Sequence, residues 1–254
     1  MNILYNQDKS RFVAYNKHIA AKKKAPYVIF HHGLMSNMNG EKALAIENFC
    51  KNSGYHFIRF DNFGHGKASG DFAEETISSW LDGLNLVINE LTEGSVVLVG
   101  SSMGSWITIL SAMLNQDIVK GVVGISSAVD FTEELIWNKT TQEQKNLLKD
   151  QGKCLITGSD PNCNYSYPIS YQLILDGRKH LLLNKEKINI SCPLQLVHGM
   201  QDIDVPYIIS KQISEKIVHN NVVIKLIKDG DHRLSREQDL QVICNSISEI
   251  IPSH

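Results

Sequence analysis

Residues 96–106 read Val96-Val-Leu-Val-Gly-Ser-Ser-Met-Gly-Ser-Trp106. Four apolar residues run into Gly100-Ser-Ser-Met-Gly104, a G-x-S-x-G pattern, and the apolar stretch Trp106 to Leu114 follows. A buried strand, a sharp turn and a helix in that order would lift Ser102 to the apex of the turn as an exposed nucleophile, with glycines 100 and 104 permitting the tight backbone. A serine in an ordinary glycine-containing turn is the plainer alternative. The choice depends on whether the rest of the chain supplies an acid and a base.

Outward from this segment, apolar runs alternate with amphipathic stretches, the rhythm of crossover helices over a mainly parallel sheet. Strands are predicted at Tyr27–Phe30, His56–Phe60, Val96–Gly100, Val119–Ile125, Leu194–His198 and Val222–Ile227. Several are apolar on both faces, as a covered sheet requires. Helices are predicted at Glu41–Lys51, Ile77–Leu91, Met103–Leu114, Ile208–Ile217 and Arg236–Ile250, the first closed by the cap Ser53-Gly54. Leu4, Phe12 and Ala14 alternate weakly with polar residues before Lys22, which fits an antiparallel hairpin on the sheet edge.

The rhythm stops between Ser126 and Ile190. A charged helical stretch, Glu133 to Lys149, leads into the turn-rich Gly158-Ser-Asp-Pro-Asn-Cys-Asn-Tyr-Ser-Tyr-Pro168. The fold class expected is α/β, a single domain over 1–254 with about eight strands, helices on both faces and a helical cap inserted at 127–190. Trp137, Tyr165, Tyr167, Tyr171 and Leu173 are its candidates for lining an apolar channel.

With 254 residues and 43% apolar content, the chain can bury a substantial core. A formal charge of −2 gives no footprint for nucleic acid, and Lys22 to Lys24 read as a solvated loop. The five cysteines, Cys50, Cys154, Cys163, Cys192 and Cys244, are scattered without a C-x-x-C pair and fit reduced thiols. No apolar run reaches the roughly 18 residues of a membrane span, and the first residues lack a basic-then-apolar leader. The expectation is a cytoplasmic protein.

A serine nucleophile needs a base to take its proton, and the base needs an acid to fix its tautomer. After a strand–turn–helix nucleophile the acid and then the base follow in chain order. The loop His198-Gly-Met-Gln-Asp-Ile-Asp-Val-Pro206 follows one predicted strand and offers Asp202 and Asp204 as the acid. His232, in Asp229-Gly-Asp-His-Arg233, follows the next and last strand. These loops lie at the carboxyl ends of the strands, where open α/β sheets place their sites. Asp229 and Asp231 are expected to shape the turn that presents His232. His198 is expected to serve packing, and His18, His180, His219 and His254 to lie on the surface.

Two backbone amides are the candidate oxyanion donors. Met103 directly follows the nucleophile, and Leu34 lies in His32-Gly33-Leu34 after the strand at Tyr27–Phe30. His31-His32 do not read as a metal pair, because adjacent residues on an extended chain point apart and no acidic or cysteine partner lies near. Asp61-Asn-Phe-Gly-His-Gly-Lys-Ala-Ser-Gly70 is glycine-rich but lacks the Gly-Lys-Ser/Thr of a phosphate loop, so it reads as a structural turn. Neither cofactor nor metal is called for.

The assembled loops resemble the α/β-hydrolase superfamily over nearly the whole chain. Within it the resemblance is to the α/β-hydrolase-domain protein 10 group, described as palmitoyl-protein thioesterases and acyl-glucuronide esterases. It is carried by Met38-Asn-Gly-Glu-Lys-Ala-Leu-Ala-Ile-Glu-Asn-Phe-Cys50, Ile58-Arg-Phe-Asp61, Leu98-Val-Gly-Ser-Ser-Met-Gly-Ser-Trp106, His198-Gly-Met-Gln-Asp202 and Asp231-His-Arg233. The resemblance implies a Ser102, Asp202, His232 triad, with Asp204 left to cap the helix after Pro206. It also implies an ester or acyl-thioester substrate, either a small molecule or an acylated protein. Ser105 stands where glycine is usual, and the residues around His32 and Gly33 differ from that group. The alternatives are a serine peptidase of the prolyl-oligopeptidase type and a non-catalytic binding protein on the same fold.

Overall fold

Every residue of β3 (Tyr27–His31), β4 (His56–Asp61), β5 (Val96–Ser101) and β9 (Leu194–Gly199) is buried in the computed structural model, which describes residues 1–157 and 166–251. Strands apolar on both faces must be covered on both. They form the centre of an eight-stranded sheet ordered β1-β2-β4-β3-β5-β6-β9-β10, with β6 at Val119–Ile125 and β10 at Val222–Ile227. The expected edge hairpin is present: β1 (Asn2–Tyr5) pairs antiparallel with β2 (Phe12–His18), and β2 antiparallel with β4. All the other pairings are parallel.

On one face α1 (Glu41–Ser53) and α7 (Glu237–Ile250) bury Ala43, Ile46, Ile243 and Ile247 against Val28, Val97 and Val123. On the other lie α2 (Ile77–Leu91), α3 (Met103–Leu114) and α6 (Ile208–Lys216), with Trp80 and Trp106 fully buried. Each indole also satisfies its N–H, Trp80 on the Phe63 carbonyl at 3.1 Å and Trp106 on that of His180 at 3.3 Å. Burying a ring of that size stabilises by about 4–6 kcal/mol at about 25 cal/mol per Å².

The segment between β6 and β9, which pair directly with each other, adds strands to the helical cap expected. The charged stretch divides into a π-helical turn at Thr132–Trp137 and α4 (Gln142–Gln151). A two-stranded antiparallel hairpin follows, β7 (Lys153–Thr157) with β8 (Ser166–Ser170), and then α5 (Tyr171–Gly177). The Asp130 carboxylate clamps the two ends together, accepting from the amides of Leu182 and Leu183 at 2.8–3.0 Å. Asp176 ties α5 to the first turn of α2 through the Ser78 amide at 2.8 Å and its hydroxyl at 2.9 Å. His180, expected on the surface, is half-buried against the same Ser78 hydroxyl at 2.7 Å. Tyr165, Cys163 and His254 lie outside the described residues.

Candidate active site

The turn between β5 and α3 holds Ser102 at φ 54° and ψ −121°, a conformation rare for any residue with a side chain. Close packing forces it. A Cβ on Gly100 would collide with the Gly104 carbonyl, and one on Gly104 with the His31 carbonyl, so both positions need glycine. The Ser102 amide donates to Ile125 at 2.8 Å, tying the turn to β6. Ser105, in place of the usual glycine, turns its hydroxyl to Ser127 at 2.6 Å and stays satisfied while buried.

Three sequence-predicted residues come together here from separate loops. The Ser102 hydroxyl donates to His232 Nε2 at 3.1 Å, and His232 Nδ1–H donates to Asp202 Oδ2 at 2.8 Å. The His232 backbone is itself held, since the hydroxyl of fully buried Ser126 donates to its carbonyl at 3.0 Å. Asp231 shapes the turn as expected, accepting from the Leu234 amide at 2.9 Å. The Asp202 side chain is fully buried and that of His232 is 24% exposed. Burial alone would raise the Asp202 carboxyl, but hydrogen bonds from His198 and His232 outweigh it and hold it at about 2. The acid therefore stays charged beside His232.

One expectation needs correcting. Asp204 does not cap α6, whose N-cap is Tyr207 and has no side-chain cap bond, because Asp202 Oδ1 already organises that turn through the amides of Asp204 and Val205. His198, expected to serve packing, has a fully buried ring that is also hydrogen-bonded on both nitrogens.

Leu34 and Met103 both line a cavity of about 720 Å³ that opens on Ser102 and His232. Met103 begins α3, so its amide has no partner within the helix. The Gly33 carbonyl accepts from His32 Nδ1 at 2.8 Å and from the Ser36 amide at 3.3 Å. The trans peptide then sends the Leu34 N–H the opposite way, and that amide makes no hydrogen bond to any described residue. Of the predicted channel residues Tyr167 lines the cavity. Phe131, Leu135 and Ile136 do so as well, whereas Trp137 lies tilted against Tyr171 and under Arg178 and Leu173 is core. Lys42, Asp204 and Arg233 make the lining partly polar.

His31, His32 and His65 form a buried cluster beneath the Leu34 loop. Asn62 donates its side-chain amide to His31 Nε2 at 2.8 Å and its backbone amide to His32 Nε2 at 3.2 Å, while Met35 donates to His65 Nε2 at 3.3 Å. Their ring nitrogens are thus occupied by the protein's own backbone and side chains, which leaves none for a metal. Asp202, Asp204 and His232 present ligand atoms within 4.8 Å of one another, but Asp202 and His232 already satisfy each other.

The family profile described as serine aminopeptidase, S33, matches residues 22–239. The chain belongs to this hydrolase family. It is also 37% identical over 235 residues to the palmitoyl-protein thioesterase ABHD10, mitochondrial, of Bos taurus, covering 91% of this chain and 74% of that one. Among solved structures, α/β hydrolase domain-containing protein 10 from mouse superposes with a TM-score of 0.88 at 31% identity, covering 98% of each chain. A putative hydrolase from Agrobacterium vitis S4 superposes with a TM-score of 0.91, also at 31% identity, over 99% of this chain and 97% of that one. The fold is the α/β-hydrolase fold. No helix among the described residues is long and apolar enough to cross a membrane. The expected cytoplasmic placement finds no support in relatives whose names say mitochondrial.

Proposed function

We propose that this hydrolase cleaves carboxylic esters and thioesters through an acyl-Ser102 intermediate. The observation that carries the proposal is the unbroken hydrogen-bonded line from the Ser102 hydroxyl through His232 to Asp202. His232 takes the Ser102 proton as the oxygen attacks the acyl carbon, then gives it to the departing alcohol or thiol. Water, activated by the same ring, releases the acid. Asp202 keeps the proton on Nδ1, so that Nε2 is free to act. The Met103 and Leu34 amides receive the oxyanion, each worth about 3–4 kcal/mol of barrier.

Residues 127–190 act as the cap, with Phe131, Leu135, Ile136 and Tyr167 offering an apolar wall for an acyl chain. The substrate is an ester or acyl thioester, carried on a small molecule or on an acylated protein. The palmitoyl-protein thioesterase relative supports an acyl thioester. Free thiols at Cys50, Cys154, Cys192 and Cys244 fit a reducing compartment such as the cytoplasm.

Because the family description names an aminopeptidase, amide cleavage is the competing activity. Turnover of p-nitrophenyl esters from acetate to palmitate, beside palmitoyl-CoA and an aminoacyl amide, separates the two. Esters and the thioester should be cleaved and the amide left intact; preference for the amide overturns the proposal.

A further inference from the structure

The Asp202 carboxylate sits between two imidazoles. Oδ2 accepts from His232 on its open side and from His198 Nε2 at 3.1 Å on its buried side. His198 lies near the end of β9 with its side chain wholly buried. An apolar residue would fill that space at no electrostatic cost, whereas a buried imidazole destabilises unless its nitrogens are paired. Here both are. Nε2 also faces the Val205 carbonyl at 3.1 Å, and since both of its neighbours are acceptors, Nε2 carries the hydrogen. Nδ1 is then the acceptor, taking the Ser210 hydroxyl of α6 at 2.7 Å. His31 and His32 adopt the opposite tautomer, with Nδ1 donating to a carbonyl at 2.8 Å.

We propose that His198, oriented by Ser210, is a positioning residue for catalysis. It fixes the carboxylate of Asp202 toward His232 and withdraws part of its negative charge from that ring. The proposal rests on the Ser102, His232, Asp202 assignment. Oδ1 is occupied by the amides of Asp204 and Val205, so His198 is the remaining protein donor to the carboxylate besides His232 among the described residues. The ionisable groups facing Asp202 are His198 from β9, His232 from the loop after β10 and Asp204 from its own loop. Among the described residues no lysine or arginine pairs with it. His198 and His232 are the two side-chain donors that offset its burial. Without the His198 N–H, the Asp202 carboxylate directs more of its charge at the His232 ring, which favours the imidazolium and raises the pH at which activity is lost on the acid side.

The test is kcat/KM against pH for a short p-nitrophenyl ester in wild type, His198→Leu, His198→Gln and Ser210→Ala. Glutamine places an N–H near the position of Nε2, and leucine does not. His198→Leu should lose about tenfold or more in kcat with little change in KM, and its acid limb should move up by about one pH unit. His198→Gln should recover most of the rate and the wild-type limb, and Ser210→Ala should shift in the same direction as leucine by less. A loss with the acid limb unmoved and no recovery by glutamine makes His198 a packing residue and overturns the proposal.

Should His198→Leu fail to fold, long-range ¹⁵N–¹H spectra of wild-type enzyme with labelled histidine decide without any activity readout. A proton on His198 Nε2 supports the proposal, and a ring protonated on Nδ1 alone contradicts it. Turnover retained by Ser102→Ala would instead sink the triad assignment itself, so the two failures are distinguishable.

Discussion

Ser102 and His232 were legible because each stands where chain order and strand ends demand it, whereas chain order left Asp202 and Asp204 open and the family resemblance chose Asp202. The side chains that hold the three were not legible. Ser126 finds its partner across distant loops and His198 within its own, and no spacing in sequence reports which way a hydroxyl or a ring turns. His198 did leave one trace, its four-residue separation from Asp202 in a single loop. The histidines under the Leu34 loop were likewise opaque, yet they carry a consequence for pH. Burial pushes His31 down to about 4, and burial with a neighbouring histidine pushes His32 and His65 to about 3. Each is neutral in the fold and gains a proton on unfolding anywhere below about 6.5. Their contribution to stability is complete above that pH and is lost as pH falls through the folded values. Urea midpoints should therefore drop between pH 7 and pH 4.5. His65→Gln, whose carbonyl can take the Met35 amide, should show a shallower drop, and an unchanged slope would refute this role.

Elements whose ends carry local signals were read nearly to the residue. α2 and α3 have the expected limits, Ile77–Leu91 and Met103–Leu114. Gly54 closes α1 at φ 73° in the left-handed region that its lack of a Cβ allows. Within the inserted segment the charged stretch Glu133 to Lys149 reads as helical throughout, although its break is written in Thr141-Gln-Glu-Gln144. Thr141 Oγ1 accepts from the Gln144 amide at 3.2 Å and Gln144 Oε1 from the Thr141 amide at 2.9 Å, a capping box that starts a new helix. The β7–β8 hairpin had no such signal, because its strands pair only with each other. Since the segment forms the apolar wall of the cavity, its anchors should affect substrate length. Asp176→Ala strips the partner from the Ser78 amide and should cost about 2 kcal/mol of stability. It should also raise KM for long-chain esters more than for acetate. An equal change for both, or an unaltered melting temperature, would show that Asp176 does not hold the segment in place.

At the scale of the molecule, the fold class followed from buried strands alternating with amphipathic helices, a pattern that local apolar content is enough to display. The strand order β1-β2-β4-β3-β5-β6-β9-β10 was not written there, because it depends on which crossover passes over which face. That order puts β5 near the centre of the sheet, flanked by β3 and β6. The loops after β3, β5, β9 and β10 thereby converge, bringing together Leu34, Ser102, Asp202 and His232 although they are far apart in the chain. The cavity, with its apolar wall and partly polar lining, is a product of this convergence and of the inserted segment over it. Everything proposed for the site depends on Ser102 being a nucleophile activated by His232. Intact protein treated with a fluorophosphonate, then digested and mapped by mass spectrometry, tests that directly. One adduct per chain on Ser102, abolished in Ser102→Ala and strongly slowed in His232→Ala, is the expected result. Folded wild-type protein that takes up no label, or carries it on another residue, would contradict it.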